Sequence, residues 1–329
     1  MIAQPKRLPV VSATMAALVA VMTVLTGCGG ERGPTDSGAD SGRLSIATGN
    51  TTGVYYQLGG GYARLIGQYV PGWTATAEAT GASVENIRRV VAGDSDIAFT
   101  LADTAADAAT GRGSFDEPQP IRALARIYTN YTQVLARSNA GIRTLADLKG
   151  KRVSTGSPNS GTEVIALRLL AAAGLDPEKA VTRQKLSLPE TVQAMKDGTV
   201  DAMFWSGGLP TSGVTDLTTS LRNGVTFLDL NAELPKLQSE FGSVYQEATI
   251  KPAVYGTQKA VSTIGVPNLL VVKETMDANL AEQLTELLFE HQADLVKVHP
   301  EAGNIKRETA TETAPVQIHP GAKKYYDTH

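Results

Sequence analysis

Cysteine is almost absent from this chain of 329 residues, because Cys28 is the only one. No disulfide can therefore form within the chain, and no cysteine-based zinc site can exist. Histidine is also scarce, and all four histidines follow residue 290, at His291, His299, His319 and His329. They are far in sequence from the polar loops described below, so neither a histidine-activated nucleophile nor a histidine metal cluster is indicated. We predict no metal site and no cofactor.

Catalytic motifs and a surplus of positive charge are missing as well. The sequence contains no G-x-S-x-G elbow, no G-x-x-x-x-G-K-[ST] phosphate loop and no H-E-x-x-H helix. The 30 lysine and arginine residues against 33 aspartate and glutamate residues give a net charge of −3. That balance provides no basic field to attract a phosphate backbone. We therefore expect neither an enzyme nor a nucleic-acid-binding protein.

The first 28 residues have the pattern of an export signal, in which Lys6 and Arg7 precede an uncharged run from Leu8 to Thr26. The segment ends in Leu-Thr-Gly-Cys, which resembles a bacterial lipobox, and we predict that Cys28 is acylated. The alternative is a short transmembrane anchor, for which the run is near the lower limit of ~20 residues. Residues 29–42 contain a single apolar residue and predict a flexible linker. The folded part is thus expected outside the cell membrane, held there by lipid.

Two similar strand–loop–helix units follow. They consist of a strand, a polar glycine-containing loop and a helix, at Leu44–Ala47, 48–53 and Val54–Gln68 in the first and Lys151–Ser154, 155–161 and Thr162–Ala173 in the second. The loops start 107 residues apart, and Asp96 and Asp201, which open two further strands, are 105 residues apart. We interpret the repetition as two α/β lobes, although such units are common in any α/β protein. Apolar runs such as Val134–Ala136 and Leu269–Val272 favour parallel strands.

The polar loops are candidates for an anion-binding site. Ligands of open α/β sheets lie beyond the carboxyl ends of the strands, so both loops should face one cleft. A helix N-terminus presents unpaired N–H groups and about half a positive charge, so helices beginning near Gly53, Ser83 and Gly161 can hold a carboxylate or phosphate. The alternative is ordinary helix capping by Ser and Thr.

Aromatic residues make up only 5% of the chain, and a few of them fall near predicted strand ends. Candidates for the walls of a cavity are Tyr55, Tyr56, Tyr128 and Trp205, although a core role is equally compatible with Tyr56 and Trp205. Asp103 follows the strand Ile97–Thr100. It is a candidate for binding an ammonium group, or for capping the helix that begins at Thr104.

Six segments in this order resemble the TAXI family of TRAP-transporter solute receptors, over essentially all of residues 44–329. They are ATGNTTGVYYQLGG, TGASVENIRRVVAGDSDIAF, GIRTLADLKGKRVSTGSPNSGTEVIALRLLAAAGL, TVDAMFWSGGLPT, VSTIGVPNLLVV and VQIHPGAKKYY. The resemblance implies a type II periplasmic-binding-protein fold, with two α/β lobes that close around a ligand cleft by a hinge. It also implies a TRAP membrane permease as partner, and a small acid such as glutamate or a dicarboxylate as ligand.

The resemblance also places residues at the ligand. Together with the candidates above, the predicted ligand-binding residues are Gly49, Thr52, Gly53, Tyr55, Ser83, Asp103, Tyr128, Ser157, Asn159, Ser160, Gly161, Thr162, Trp205 and Ser206. The chain departs from the usual family pattern at Thr100-Leu101 and in DAMFWSGGLP, which includes Trp205, Ser206 and Leu209. Since these positions are expected near the pocket, the identity of the ligand does not carry over.

The sequence as a whole thus predicts an extracytoplasmic solute-binding receptor with no catalytic activity. We expect lobe 1 to comprise residues 43–136 and 258–329 and lobe 2 to comprise residues 137–257, with hinge crossings near 133–138 and 257–266. Two alternatives keep the same ligand-binding role: a sensor lipoprotein, and the binding protein of an ATP-driven importer.

Overall fold

The computed structural model describes residues 41–329. The predicted export leader, the lipidation site Cys28 and all but the last two residues of the predicted linker lie outside the described residues. Within residues 41–329, none of the helices combines the length and the apolar character that crossing a bilayer requires.

Strands and helices alternate along most of this range. The strands are β1 (Gly42–Ala47), β2 (Trp73–Glu78), β3 (Ile97–Leu101), β4 (Ile121–Arg137), β5 (Arg152–Ser154), β6 (Thr182–Gln184), β7 (Ala202–Gly207), β8 (Val225–Phe227), β9 (Gln246–Ile250) and β10 (Val261–Lys273). The helices are α1 (Val54–Tyr69), α2 (Ser83–Ala92), α3 (Ala102–Thr110), α4 (Gly161–Ala172), α5 (Leu188–Asp197), α6 (Ser212–Leu221), α7 (Leu234–Phe241), α8 (Pro252–Tyr255), α9 (Ala278–Glu290), α10 (Gln292–Val298) and α11 (Pro320–Thr328). The two predicted strand–loop–helix units correspond to β1 with α1 and β5 with α4, with bounds that differ by at most two residues.

The strands form one mixed sheet in the order β2-β1-β3-β10-β4-β7-β5-β6, with β8 beside β4 and β9 beside β10. The strands at each end are mutually parallel, whereas β4 and β10 are antiparallel to the strands that they contact. The prediction that Val134–Ala136 and Leu269–Val272 belong to parallel strands is therefore wrong. Helices cover both faces of these strands, so their side chains are apolar whichever way the neighbouring strand runs.

β4 and β10 connect the two ends of the sheet. β4 pairs with β10 between Ile121 and Tyr131, and with β7 from Tyr131 to Ala136. β10 pairs with β9 over residues 261–265 and with β3 over residues 268–272. Each end of the sheet therefore forms an α/β half, and two long strands run through both halves.

Each half has helices on both faces of its strands. In the half that contains β1, α1 and α9 pack around Leu270, and α2 and α3 pack on the opposite face around Val271. In the half that contains β5, α4 and α7 pack around Phe204, and α5 and α6 pack around Met203. Successive residues of a strand point to opposite faces, which is why neighbouring apolar residues serve different cores.

Candidate ligand-binding site

A cavity lies between the two halves, where the loops after β1, β2 and β5 meet the ends of β3 and β7 and the middle of β4. Its empty volume is about 440 Å³, including its open mouth. The cavity is lined by Gly49, Asn50, Gly53, Val54, Tyr55, Gly81, Ala82, Ser83, Leu101, Tyr128, Asn130, Ser157, Ser160, Gly161, Thr162, Trp205, Ser206 and Gly207.

The fold brings eleven of the fourteen predicted site residues to this cavity. They are Gly49, Gly53, Tyr55, Ser83, Tyr128, Ser157, Ser160, Gly161, Thr162, Trp205 and Ser206. These residues come from both halves of the molecule. The two glycine-containing loops, 107 residues apart in sequence, therefore border one space.

The other three predicted residues lie beside the cavity without lining it. Thr52 accepts a hydrogen bond on its carbonyl oxygen from Ser212 Oγ, at 2.7 Å. Asn159 has a left-handed backbone (φ 58°), and its carbonyl accepts from the N–H of Glu85 at 3.1 Å. Asp103 is buried, and its carboxylate accepts from Tyr245 Oη at 2.7 Å and lies 3.5 Å from Arg168. Asp103 is therefore paired with protein groups and does not line the cavity.

Three helices begin at the cavity, and two of them lack a side-chain cap. The N-cap of α1 is Gly53 and that of α2 is Ala82, and neither makes a capping hydrogen bond through its side chain. In α4, Ser160 Oγ accepts from the N–H of Glu163, so the ordinary capping role applies to that helix alone among the three. Serine and threonine are preferred at N-caps because they satisfy such N–H groups. Their absence at α1 and α2 leaves the first turns open to a ligand.

The first turns of these helices contain backbone N–H groups without a hydrogen-bond partner. Within residues 41–329, no acceptor lies in hydrogen-bond range of the N–H groups of Val54, Tyr55, Ser83, Gly161 and Thr162, all of which line the cavity. An unsatisfied buried donor costs about 1–3 kcal/mol. Five such donors, with about half a positive charge at each helix N-terminus, therefore favour a bound anion or ordered water.

Ala82 has an unusual backbone conformation for a residue with a side chain. Its φ of 89° and ψ of −149° fall in a region that is essentially restricted to glycine. Such strain costs about 1–3 kcal/mol and is concentrated at functional sites. Here the conformation turns the chain from β2 into α2, so that the first amides of α2 reach the cavity.

Two buried hydroxyl groups also lack partners within the described part of the chain. Tyr128 and Ser206 are only 1% and 6% exposed, and both line the cavity. Neither Tyr128 Oη nor Ser206 Oγ makes a hydrogen bond to residues 41–329. Burial raises the pKa of Tyr128 well above its ordinary value, so the phenol stays protonated and can donate. Tyr55, by contrast, donates from its hydroxyl to Asn268 Oδ1 at 2.5 Å.

None of the residues lining the cavity carries a charged side chain. The carboxylates closest to the loops are occupied by protein donors. Glu85 accepts from the N–H of Gly81 at 2.7 Å, and Glu163 accepts from that of Asn159 at 2.9 Å. An anion in this cavity would therefore be held by neutral dipoles.

The two halves touch around the cavity. Asn50 Nδ2 donates to Ser157 Oγ at 3.2 Å, and Asn50 Oδ1 accepts from the N–H of Leu188 at 2.6 Å. Gly161 is packed so closely that a Cβ atom there would lie 2.5 Å from Leu101 Cδ1 and 2.7 Å from Ser83 Oγ. The two halves are therefore in direct contact beside the cavity.

Several lining residues were not among the predicted ligand-binding residues, above all Asn50, Ala82 and Asn130. Asn50 lies inside the first glycine loop, and an amide side chain in a loop already proposed to bind ligand was the available signal. Asn130 is in the middle of β4, where the sequence gives no indication that the strand passes under the cavity.

Comparison with solved structures defines the class of this fold. It is similar to the binding protein component of an ABC phosphonate transporter from Pseudomonas aeruginosa, with 14% identity, 81% of each chain covered and a TM-score of 0.56. It is also similar to PhnD1 from Prochlorococcus marinus in complex with methylphosphonate, with 10% identity, 80% of this chain and 91% of that chain covered and a TM-score of 0.54. At these identities the likeness concerns the fold. The chain has the two-lobed α/β fold of periplasmic binding proteins, as predicted.

The family is given by the sequence. The model of the NMT1-like family matches residues 46–328, which make up most of the chain. The chain belongs to the NMT1-like family.

The TAXI assignment, with the TRAP permease expected as partner, is therefore wrong. The matching family model is the NMT1-like one. The quoted segments fall on strands, loops and helices of both halves, and such elements are common to the fold.

Proposed function

We propose that this protein is an extracytoplasmic solute-binding receptor that captures a small organic anion and delivers it to an ABC-type importer. One observation carries the proposal: residues at the starts of three helices have unpaired N–H groups and line one cavity, which no charged side chain lines. Two unpaired hydroxyls of buried side chains support it. The export leader predicted from the sequence supports a location outside the cell membrane, where a lipid on Cys28 would hold the folded part.

Binding would proceed by closure of the two lobes. We take residues 43–136 and 258–329 as lobe 1 and residues 137–257 as lobe 2, with β4 and β10 as the connections that bend. In the closed state an anion contacts the amides of α1 and α2 from one lobe and those of α4 from the other. Because closure excludes water, these hydrogen bonds strengthen. Opening separates the amides and releases the ligand to the permease.

Carboxylate, sulfonate and phosphonate groups are small anions with two or three acceptor oxygens. Such oxygens can accept hydrogen bonds from this set of N–H and O–H groups. The phosphonate transporter component and the methylphosphonate complex among the similar structures support including phosphonates with carboxylates. The proposal is for binding without chemical conversion, since the lining residues include no histidine, lysine or carboxylate that would act as a general acid or base.

A thermal-shift screen of small carboxylates, sulfonates and phosphonates tests the proposal. A ligand at about 100 times its Kd stabilises the folded state by about 2.7 kcal/mol. For a chain of this size, that corresponds to an increase in Tm of about 5 °C. Calorimetry on the best hit then gives the affinity.

Two variants locate the site. Gly161→Asp places a carboxylate against Leu101 and Ser83 at the start of α4, so the ligand-induced shift should disappear. Because both contacted residues belong to the other lobe, opening of the cleft relieves the contact, and the variant should still unfold cooperatively without ligand. Gly60→Asp adds the same charge on the exposed side of α1, where a Cβ atom meets nothing within 4 Å, and should retain the full shift. A full shift in Gly161→Asp, or no shift with any anion in the parent protein, would contradict the proposal.

A further inference from the structure

Asn268 is a polar residue buried in the long strand β10. It is 0% exposed, and residues 269–272, which follow it, are all apolar and buried. Burying a polar group costs free energy unless its hydrogen bonds are made, whereas an apolar side chain of similar size has no such requirement. Asn268 does not line the cavity. Its role must therefore be sought in the hydrogen bonds that it makes.

Within residues 41–329, every hydrogen bond of the Asn268 side chain goes to a residue that lines the cavity. Its Oδ1 accepts from Tyr55 Oη at 2.5 Å. Its Nδ2 donates to the carbonyl oxygen of Tyr128 at 3.0 Å and to Asn130 Oδ1 at 2.9 Å. Because a carbonyl oxygen can only accept, the Tyr128 carbonyl fixes which side of the amide carries the N–H groups. The amide of Asn268 thus joins α1 to β4 beside the cavity.

The network continues from β4 to β7. Asn130 Nδ2 donates to the carbonyl oxygen of Ser206 at 3.2 Å. Tyr128 and Ser206 are the two lining residues whose buried hydroxyls lack partners within the described part of the chain. The amides of Asn268 and Asn130 therefore hold the backbone of both. Each hydroxyl can donate to a ligand or accept from it, so this support is independent of the ligand group that it meets.

The pairing of β4 with β10 is interrupted at this point. Pro267 pairs with residue 129 and residue 269 pairs with residue 126, so two residues of β4 stand opposite Asn268, and one of them is Tyr128. Such a bulge leaves one residue outside the ladder, and Pro267 has no N–H to donate. The backbone ladder is therefore weak beside Tyr128, and the side chain of Asn268 supplies a bond to Tyr128 there.

We propose that Asn268 is a positioning residue of the ligand site, which does not touch the ligand but holds the hydroxyls of Tyr128 and Ser206 where a bound anion meets them. The proposal rests on the proposed function, because it concerns how that same site holds its anion. Affinity then depends on Asn268 only while the two hydroxyls are present. A merely structural role would lower stability and would not couple Asn268 to those hydroxyls.

A double-mutant cycle tests the proposal. Asn268→Leu, which keeps a similar volume, is made in the parent protein and in the variant Tyr128→Phe/Ser206→Ala. The probes are acetate, methanesulfonate and methylphosphonate, and calorimetry gives the Kd of each one that binds the parent. In the parent, Asn268→Leu should weaken binding about tenfold, which corresponds to the loss of about one hydrogen bond to a charged group. Without the two hydroxyls, the same change should alter the Kd less than about threefold.

Gln292→Met is the matched control. The Gln292 amide also donates to two carbonyl oxygens, those of Ala302 and Ile305, at 2.8 and 2.6 Å. None of these three residues lines the cavity. The control should therefore lower the Tm without changing the Kd of any probe.

A second variant covers the case in which Asn268→Leu does not fold. Asn268→Asp keeps the size and the acceptor for Tyr55 but removes the donors, and the repulsion that its charge adds is the same in both backgrounds, so it cancels in the cycle. Equal fold-changes in the two backgrounds, or a parental Kd after either change at Asn268, would overturn the inference and leave the proposed function intact. If none of the three anions binds the parent, the proposed function fails and the inference fails with it.

Discussion

Arg168 on α4 reaches across the contact between the two halves to α3. Its guanidinium lies 2.6 Å from Asp107 Oδ2 and 3.5 Å from Asp103 Oδ2, and it donates to Tyr245 Oη at 2.8 Å. The guanidinium carbon is 4.0 Å from the centre of the Phe241 ring. The Arg168 side chain is only 11% exposed, so the ion pairs are poorly screened by solvent. This cluster is the most extensively buried charged contact that we find between the halves in residues 41–329.

Replacing Arg168 by Met retains the apolar stem but removes the cation. The Asp103 side chain is 0% exposed and would then be a buried carboxylate without a positive partner. Burial already raises the pKa of Asp107, and Arg168 opposes that effect, so the pKa of Asp107 should rise further in the variant. Removing one partner of a buried ion pair costs about 3–5 kcal/mol. At about 2 °C per kcal/mol for a chain of this size, the Tm should fall by about 6–10 °C.

The assay is thermal unfolding followed by circular dichroism, with Arg152→Met as the matched control. Arg152 pairs with Asp201 at the surface, where its side chain is 45% exposed, and exposed pairs contribute little to stability. The control should therefore melt close to the parent protein. Adding Asp103→Asn to Arg168→Met should restore part of the loss, because the uncompensated charge is removed. A decrease in Tm for Arg168→Met that is no larger than the decrease for the control would refute the reasoning.

Two further predictions concern pH. Burial lowers the pKa of His319 from its ordinary value of 6.5, so the folded state binds a proton less readily than the unfolded state, and stability present above about pH 6.5 is lost as the pH falls. His319→Asn retains a cap for α11 and should flatten the loss of stability measured by urea unfolding between about pH 7 and pH 5, whereas the same change at exposed His329 should not. Burial raises the pKa of Tyr255 to about 12, so its contribution is present below about pH 10 and lost as the pH rises through 12. Tyr255→Phe should reduce the alkaline loss of unfolding free energy by up to about 3 kcal/mol, and an unchanged slope would contradict this assignment.

The local elements of the site were predictable from the sequence because short-range chemistry defines them. A polar loop that contains glycine between an apolar strand and an amphipathic helix gave β1 with α1 and β5 with α4 to within two residues. Such a loop lies at the carboxyl end of its strand, where open α/β sheets bind ligands. For this reason the residue pattern alone sufficed to assign Gly53, Ser160 and Gly161 to the cleft.

Contacts between distant residues were not predictable. Asn50 bonds to Ser157 and Leu188, which are 107 and 138 residues away, and nothing local at Asn50 indicates either partner. Asp103 was a reasonable candidate for an ammonium group after β3, but its pairing with Arg168 depends on how α3 and α4 meet. The direction of β4 and β10 was misjudged for the same reason, since a strand covered on both faces looks alike in parallel and antiparallel pairing.

The amino-acid sequence by itself determined which segments are strands and helices, and that two glycine loops would begin helices with exposed amides, because these depend on residues within one or two turns of chain. The tertiary structure alone decided that those amides share a cavity with the hydroxyls of Tyr128 and Ser206, and that Asp103 is withdrawn from it. The donors and acceptors that line a cavity come from both halves of the molecule. Which of these groups find a partner is decided only once the halves are placed against each other.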